Sequence, residues 1–489
     1  MIDLIDMIFF HADATPEKPA VITSEVTLTY RTLRHGILSA EQQLRKSGLK
    51  AGDRVGIHVR NAIGHMTLIC ALHRAGITSL SLDAPQADFL NDTAVDALLT
   101  NSPIADTAMR MIPVDDSWFN GNVPAETGPN VAAPQDPNRL CRLIMSSGTT
   151  GRPKIIVLTY EAVCERLISY AIRTSTPSWD RVVCTPGLST NYGYSFAITA
   201  LWLGRTVCFA FDQTARLLVL SHRAELMVAS THQISEIVKG QEADFRRLDS
   251  LRAIHIGGSV AYAPLLARIR MLICNTVFCG YGSTEGGTVA YAPSEAVFGM
   301  DRAVGFVTPW IETDVVDDQK QSVDLGTEGE FRIRAIGQGQ RYLKGPSGQY
   351  DVDHSDWFYP GDRGVVFRNG MMIITGRTNE IINRGGTKVS PDAIEEIIKR
   401  HPEVEDVAVV GMTDSIGIEQ IWVAVVPRGG GSIEIDKMYD YIRDAAPVYL
   451  PDRIFPIAEI PRNRLGKVAR ETLKDTLKAM EETHQLTVR

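Results

Sequence analysis

The chain has 489 residues, too many for one hydrophobic core, so two or three domains are expected. Hydrophobic residues make up 44% and charged residues 22%, the balance of an ordinary soluble globular protein. A net charge of -8 leaves no basic footprint and excludes nucleic acid as the main partner, although a few placed donors can still recognise a nucleotide.

The seven cysteines are scattered without a CxxC pair, which points to reduced thiols in a cytoplasmic compartment. Cys164, Cys184, Cys208, Cys274 and Cys279 sit in apolar runs and are expected to be buried. The first twenty residues carry Asp3 and Asp6 with no positive n-region, so they do not read as a signal peptide. No window offers about 18 uninterrupted apolar residues for a membrane span.

In chain order, VGIHV (55–59) reads as a buried strand and MTLICALHRAG (66–76) as an amphipathic helix ending at glycine. VVCTP, RTVCFAF, RAIHIGG and NTVFCGYG repeat one cadence, a β-branched and apolar run followed by Gly or Pro. That cadence predicts an α/β chain with mostly parallel strands and ligand-binding loops past their C-terminal ends. After about residue 300, GEFRIRAI (329–336) and GVVFRNGMMIIT (364–375) alternate with period two, and Asn369-Gly370 is a hairpin signal, so a smaller antiparallel β region follows.

SPDAIEEIIKR (390–400) predicts a helix capped by Ser390, with Pro391 in its first turn and Ile394, Ile397 and Ile398 on one face. Glu395–Lys399 and Glu396–Arg400 are expected as i,i+4 pairs on its outer face. Strands at 404–411 and 421–427 and a closing helix bearing Leu473, Leu477 and Met480 complete a small α+β domain. The expected division is 1–378 for the large N-terminal domain and 379–489 for a small C-terminal domain.

The most informative stretch is Ser146-Ser147-Gly148-Thr149-Thr150-Gly151-Arg152-Pro153-Lys154, directly after an apolar run. Glycines let backbone N–H groups approach a polyanion, hydroxyls add donors, and the lysine adds a mobile charge. It is not a Walker P-loop, because Pro153 precedes Lys154 and Ile155 follows it. The string closely resembles the signature loop of the adenylate-forming superfamily: acyl-CoA synthetases, adenylation domains and firefly-type luciferases. The resemblance implies a loop that orients the β- and γ-phosphates of ATP.

Further matches follow in the family's order. Gly257-Gly258-Ser259 is similar to its Gly-Gly segment, where backbone passes close to adenine and the acyl group. Gly280-Tyr281-Gly282-Ser283-Thr284-Glu285 resembles its aromatic-Gly-x-Thr-Glu segment. There Tyr281 would stack on adenine, Thr284 would meet the α-phosphate, and Glu285 would help hold Mg²⁺, a hard cation suited to a carboxylate oxygen. Trp357-Phe358-Tyr359-Pro360-Gly361-Asp362 resembles the segment that ends in the ribose-binding Asp, here Asp362.

Gly376-Arg377-Thr378-Asn379-Glu380 resembles the family's hinge, with Arg377 on ribose or phosphate. The pivot is usually Asp or Lys; this chain has Asn379, which tolerates unusual backbone angles. Gly385-Gly386-Thr387-Lys388 looks like the lining of the thiol tunnel of acyl-CoA synthetases. Pro461-Arg462-Asn463-Arg464-Leu465-Gly466-Lys467 resembles the loop that carries the adenylation lysine, so Lys467 is the expected catalytic group with Thr284 and Glu285. Weaker echoes occur at Leu28-Thr29-Tyr30, at Gly52-Asp53-Arg54-Val55, and from Gly329-Glu330 through Tyr342.

GLSTNYGYSFAITALWL matches the family's pocket-lining helix, which puts Ser189 where many acyl-CoA synthetases have His and makes Ser189, Asn191, Tyr192 and Ser195 candidate acid contacts. No acidic residue lies from 184 to 210, which argues against an α-amino acid substrate. The resemblance therefore implies ATP- and Mg²⁺-dependent activation of a small carboxylic acid as acyl-AMP, with transfer to CoA. A carrier-protein pantetheine is the alternative acceptor, and a non-catalytic nucleotide-binding relative the alternative of another class. Oligomeric state is not legible in the sequence.

Overall fold

The computed structural model describes residues 4–489 except 84, 86, 103, 122–135, 147–153, 212, 245, 259–260, 262, 301, 340, 345–348, 353–356, 379, 381, 385–386, 414–418, 446–449, 464–465 and 488–489. The chain divides into two compact units. The first comprises 1–299, 307–312 and 333–358; the second comprises 300–306, 313–332 and 359–489.

In the first unit, six strands lie parallel in the order Pro19–Ile22, Thr206–Phe209, Arg181–Cys184, Leu226–Ser230, Ala253–Gly257 and Val277–Ser283. Gly287–Pro293 returns antiparallel beside the last of them. The first five of these runs are mostly apolar and almost wholly buried because helices cover both faces, as expected of parallel sheets. Period-two alternation sends Val182, Cys184 and Val228 into one core, with helices Leu4–Ala14, Tyr30–Lys46 and Asn191–Trp202. Val183, Met227, Ala229 and Ile254 go into the other, with Thr214–His222, Thr231–Ala243 and Ala263–Leu272. A second sheet runs Leu140–Ser146, Thr78–Ser81, Arg54–His58, Ala97–Thr100 and Met111–Pro113 in parallel order. Lys154–Thr159 and Arg341–Lys344 extend it antiparallel.

In the second unit, Asp362–Val366 and Met371–Arg377 form the expected hairpin, with Gly370 at φ +82° in its turn. Val404–Thr413 pairs antiparallel with Glu419–Pro427, which pairs parallel with Arg453–Pro456. Val407 and Val409 face the helices Pro391–Lys399 and Ile435–Ala445. Ala408 and Val410 face Leu473 and Leu477 of Arg470–Thr487. The α/β class, the antiparallel region and the small α+β C-terminal part match the expectation.

Three local readings differ. Ser390 stands at the cap position but its side chain makes no cap hydrogen bond. Its Oγ lies 2.6 Å from where a Cβ on Gly376 would be, so it packs into that gap instead. Glu396–Arg400 forms at 2.7 Å, but Lys399 turns to Asp406 at 2.8 Å. Glu395 accepts from the Val409 N–H and faces Arg470, because the neighbouring strand offers closer partners than the helix surface. Four of the five cysteines expected inside are buried; Cys279 is half-buried.

Candidate active site

The segment 280–285 lies on a hairpin. Val277–Ser283 and Gly287–Pro293 are its arms, so Thr284 and Glu285 occupy the turn. Gly282 is required there: a Cβ would stand 2.1 Å from the Gly287 carbonyl oxygen. The Ser283 hydroxyl accepts from the Gly286 N–H at 2.8 Å and closes the turn.

A buried arginine holds that turn from below. Arg166, from the helix Tyr160–Arg173, donates from Nη1 to the Thr284 carbonyl at 2.9 Å and from Nε to the Gly337 carbonyl at 2.9 Å. Its Nη2 donates to the Glu285 carbonyl. The Gly339 N–H adds a 2.9 Å bond to the same Glu285 oxygen. Burial lowers the Arg166 guanidinium to about 10, with Tyr170 and Glu285 opposing the shift, so it stays charged at neutral pH.

The Glu285 carboxylate accepts from the Tyr342 hydroxyl at 3.3 Å. Burial raises its carboxyl above the ordinary range, against hydrogen bonds from backbone and Tyr342 and the charges of Arg166 and Lys154. Lys154 Nζ lies 5.5 Å from the centre of the Tyr342 ring. A desolvated, oriented carboxylate beside a lysine suits one oxygen ligand of a hard cation whose remaining ligands are phosphate oxygens and water.

Gly257 ends the strand Ala253–Gly257, and a Cβ there would meet the Tyr192 ring at 3.1 Å. Gly258 has φ +94°, a conformation that favours glycine. Thr190 caps the helix Asn191–Trp202 through the Gly193 N–H at 3.0 Å. The candidate acid contacts divide around this helix. Tyr192 faces Gly257, and burial pushes its hydroxyl pKa up. Asn191 and Ser195 instead line a cavity of about 10 Å³ with Arg166 and Leu167. Ser189 precedes the cap and donates to Asp83 at 2.6 Å.

In the second unit, Asp362 is buried and pairs with Arg377, Oδ1 to Nε 3.1 Å, the two residues being directly opposite in their hairpin. Gly361 has φ +77°, and its carbonyl accepts from the Thr378 N–H at 2.7 Å. Lys467 sits on a tight turn. Its N–H donates to Asn463 Oδ1 at 3.0 Å and its carbonyl accepts from the Asn463 N–H at 2.8 Å. Gly466 at φ +75° makes the turn possible, and Arg462 ties the Gly466 carbonyl, at 2.7 Å, to Asp406, at 2.7 Å.

Thus the first unit brings Thr284, Glu285 and Lys154 together and puts Tyr192 against Gly257. The second pairs Asp362 with Arg377 and holds Lys467 on its own turn. Ser147, Gly148, Thr149, Thr150, Gly151, Ser259, Asn379, Gly385 and Gly386 lie outside the described residues, as do the side chains of Ser146 and Lys388.

Sequence reasoning missed Arg166, Asp83 and the Arg462–Asp406 tie. Asp83 carried a signal, a carboxylate just past the C-terminal end of the strand Thr78–Ser81, where α/β folds place ligands. Arg166 carried none, since one arginine on an amphipathic helix reads as solvent-facing.

Residues 8–343 match the family of AMP-binding enzymes, and residues 393–467 match the AMP-binding enzyme C-terminal domain. A 2-succinylbenzoate--CoA ligase of Geobacillus sp. (strain WCH70) is 23% identical over 487 residues, covering 95% of each chain. A medium-chain fatty-acid--CoA ligase of Escherichia coli (strain K12) is 24% identical, covering 95% of this chain and 88% of its own length. The O-succinylbenzoate Coenzyme A Synthetase (MenE) from Bacillus subtilis, solved in complex with ATP and magnesium ion, shares the fold. Its TM-score is 0.82 at 22% identity, over 96% of this chain and 99% of its own. With 8–343 matched in sequence and the fold shared along nearly all its length, this chain belongs to the AMP-binding enzyme family, the adenylate-forming superfamily.

Proposed function

We propose that this chain is an AMP-forming acid–CoA ligase. A carboxylate oxygen of the acid attacks the α-phosphorus of ATP, the bond to the β-phosphate oxygen breaks, and pyrophosphate leaves. The thiol sulfur of CoA then attacks the acyl carbon, the bond to AMP breaks, and the thiol proton passes to solvent. Both relatives named above are CoA ligases, and they are named for chemically different acids, so the names support the reaction and not a particular substrate.

The observation that carries the reading is the Thr284–Glu285 turn, fixed from below by Arg166 and flanked by Tyr342 and Lys154. Phosphoryl transfer asks little covalent chemistry of a protein, so positioning and charge neutralisation dominate. In this reading Thr284 donates to the α-phosphate and Tyr281 stacks on adenine beside Gly258, Ser259, Gly280 and Gly282. The loop from Ser146 to Lys154 holds the departing pyrophosphate. Glu285 would hold Mg²⁺, which would supply charge neutralisation at the phosphates. Asp362 takes the ribose hydroxyls, with Arg377 beside it. Lys467 bridges the attacking carboxylate and the α-phosphate.

The proposed division at 378/379 makes Asn379 the pivot on which the C-terminal part turns between half-reactions. Gly385, Gly386 and Lys388 then line the thiol's path. Ser189, Asn191, Tyr192 and Ser195 are the proposed surroundings of the acid.

Acid-dependent ATP–pyrophosphate exchange over a broad panel of carboxylic acids tests the first half. Exchange with at least one acid is expected, and none with any acid would leave a non-catalytic nucleotide binder. Thioester yield with CoA against holo acyl carrier protein tests the second, with CoA expected to win.

A further inference from the structure

Arg173 is the last residue of the helix Tyr160–Arg173, about two turns beyond Arg166. Its guanidinium is enclosed by three rings, with centres 4.3 Å (Tyr170), 4.8 Å (Tyr291) and 5.4 Å (Phe196) away. Nε and Nη2 are both buried and have no hydrogen-bond partner among the described residues.

These two N–H groups lie on one edge of the guanidinium, the edge that fits both oxygens of a carboxylate side by side. Two other arginines of the unit, buried Arg142 and half-buried Arg139, are spent differently. Arg142 donates to Ser79, Ser81 and the Leu188 carbonyl. Arg139 leaves Nε and Nη1 unmatched, which do not share an edge, and still donates to the His73 carbonyl.

The described titratable groups that feel the Arg173 charge, His255, Tyr192 and Tyr291, are neutral. Burial, with the Arg173 charge adding to it, holds His255 well below its ordinary range. Burial likewise keeps the Tyr192 and Tyr291 hydroxyls protonated far above neutral pH. Cation–π contact repays part of the desolvation of a guanidinium, but two unmet donors on one edge remain costly without an anion.

The location links this cation to the acid's expected path. A Cβ on Gly280 would stand 3.6 Å from Arg173 Nη1 and 3.7 Å from the Tyr291 ring. Gly280 begins the segment that ends in Thr284 and Glu285. Tyr192, against Gly257, packs edge-on to Phe196 with ring centres 5.2 Å apart, and Phe196 is one wall of the cage.

We propose that Arg173 selects acids carrying a second carboxylate: one carboxylate is adenylated and the other is received on the Nε–Nη2 edge. The proposal rests on the adenylation reading above and specifies its substrate class.

Matched pairs of acids test it in the pyrophosphate exchange assay: succinate against butyrate, adipate against hexanoate, suberate against octanoate. For the wild-type chain, kcat/KM for the best diacid should exceed that of its monoacid partner by roughly 100-fold, the scale on which a site built for a polar group rejects an analogue lacking it. R173M should lower the diacid value by on the order of 100-fold and leave the monoacid within about threefold, with R173K between. The wild-type comparison decides even where R173M fails to fold. Preference for the monoacid in every pair, or an equal loss of both in a folded R173M, would overturn the proposal alone. No exchange with any acid would overturn the adenylation reading with it.

Discussion

Arg166 donates to the Thr284 carbonyl at 2.9 Å across 118 residues of sequence, so a helix in the middle of the first unit sets the height of the turn bearing the expected phosphate-contacting hydroxyl. The same guanidinium reaches the carbonyls of Glu285 and Gly337. No carboxylate competes for its donors in these bonds, and it acts as a fixed post beneath the turn.

R166M removes three charge-assisted hydrogen bonds to backbone carbonyls and a longer one to Asn191 Oδ1. Of those carbonyls, only that of Glu285 keeps a partner among the described residues, the Gly339 N–H. It should cost about 3 kcal/mol in denaturant unfolding. Pyrophosphate exchange should fall by roughly 10- to 100-fold, because a misplaced turn weakens contacts made at the α-phosphate. R166K keeps the charge but not the fork and should fall between.

Lys467 depends on its turn. K467A should lower acyl-AMP formation by on the order of 100-fold or more while sparing thioester formation from supplied acyl-AMP. Equal loss of both half-reactions would contradict the role given to this lysine. Burial opposes ionisation of Asp406, yet Lys399 and Arg462 hold its carboxyl below the ordinary range, so it is a charged anchor at neutral pH. D406N should therefore slow adenylation by about tenfold, through Arg462, without touching the second half-reaction.

The glycines of the 280–285 hairpin are not equivalent. G280A adds a methyl at ordinary contact distance from Arg173 and Tyr291 and should leave the unfolding free energy within about 0.5 kcal/mol. G282A drives a Cβ into the Gly287 carbonyl and should cost about 3 kcal/mol, with loss of exchange activity. Thermal unfolding of the two variants side by side checks this.

Arg470 gathers three carboxylates at Nε–Oε2 3.0 Å (Glu380), Nη2–Oδ1 3.3 Å (Asp392) and Nη2–Oε1 3.6 Å (Glu395). Burial pushes Glu395 from 4.5 up to about 7; Asp392 and Glu380 add to the rise, and Arg470 and the Val409 N–H oppose it. Between those values the native chain binds more protons than the unfolded one, so stability falls as pH rises. The Glu395 contribution is fully present below about 4.5 and lost as pH passes about 7. E395Q keeps an acceptor for Val409 and should remove this slope. The wild type should lose stability relative to E395Q between pH 5 and about 8, as read by urea unfolding of both chains at each pH.

Much of this was legible beforehand. The apolar cadence gave the parallel strands because helices cover both faces. Asn369-Gly370 gave its hairpin because few dipeptides accept that turn. Motif order gave the family, since backbone-approach glycines, a turn hydroxyl and a turn carboxylate must recur together. What stayed hidden was supplied across long sequence separations: Arg166 under Thr284, Asp83 beside Ser189 and Arg462 on Asp406. Glu395 and Lys399 show the same limit. Their helix spacing predicted a pair, and closer tertiary partners took both side chains.

The central claim is that a carboxylate oxygen of the acid becomes bonded to the α-phosphorus. Incubating the enzyme with ATP, CoA and an acid labelled with ¹⁸O in both carboxyl oxygens tests this directly by mass spectrometry of the products. One ¹⁸O should appear in AMP and none in pyrophosphate. AMP free of label, or label recovered in inorganic phosphate with ADP as the nucleotide product, would contradict the account.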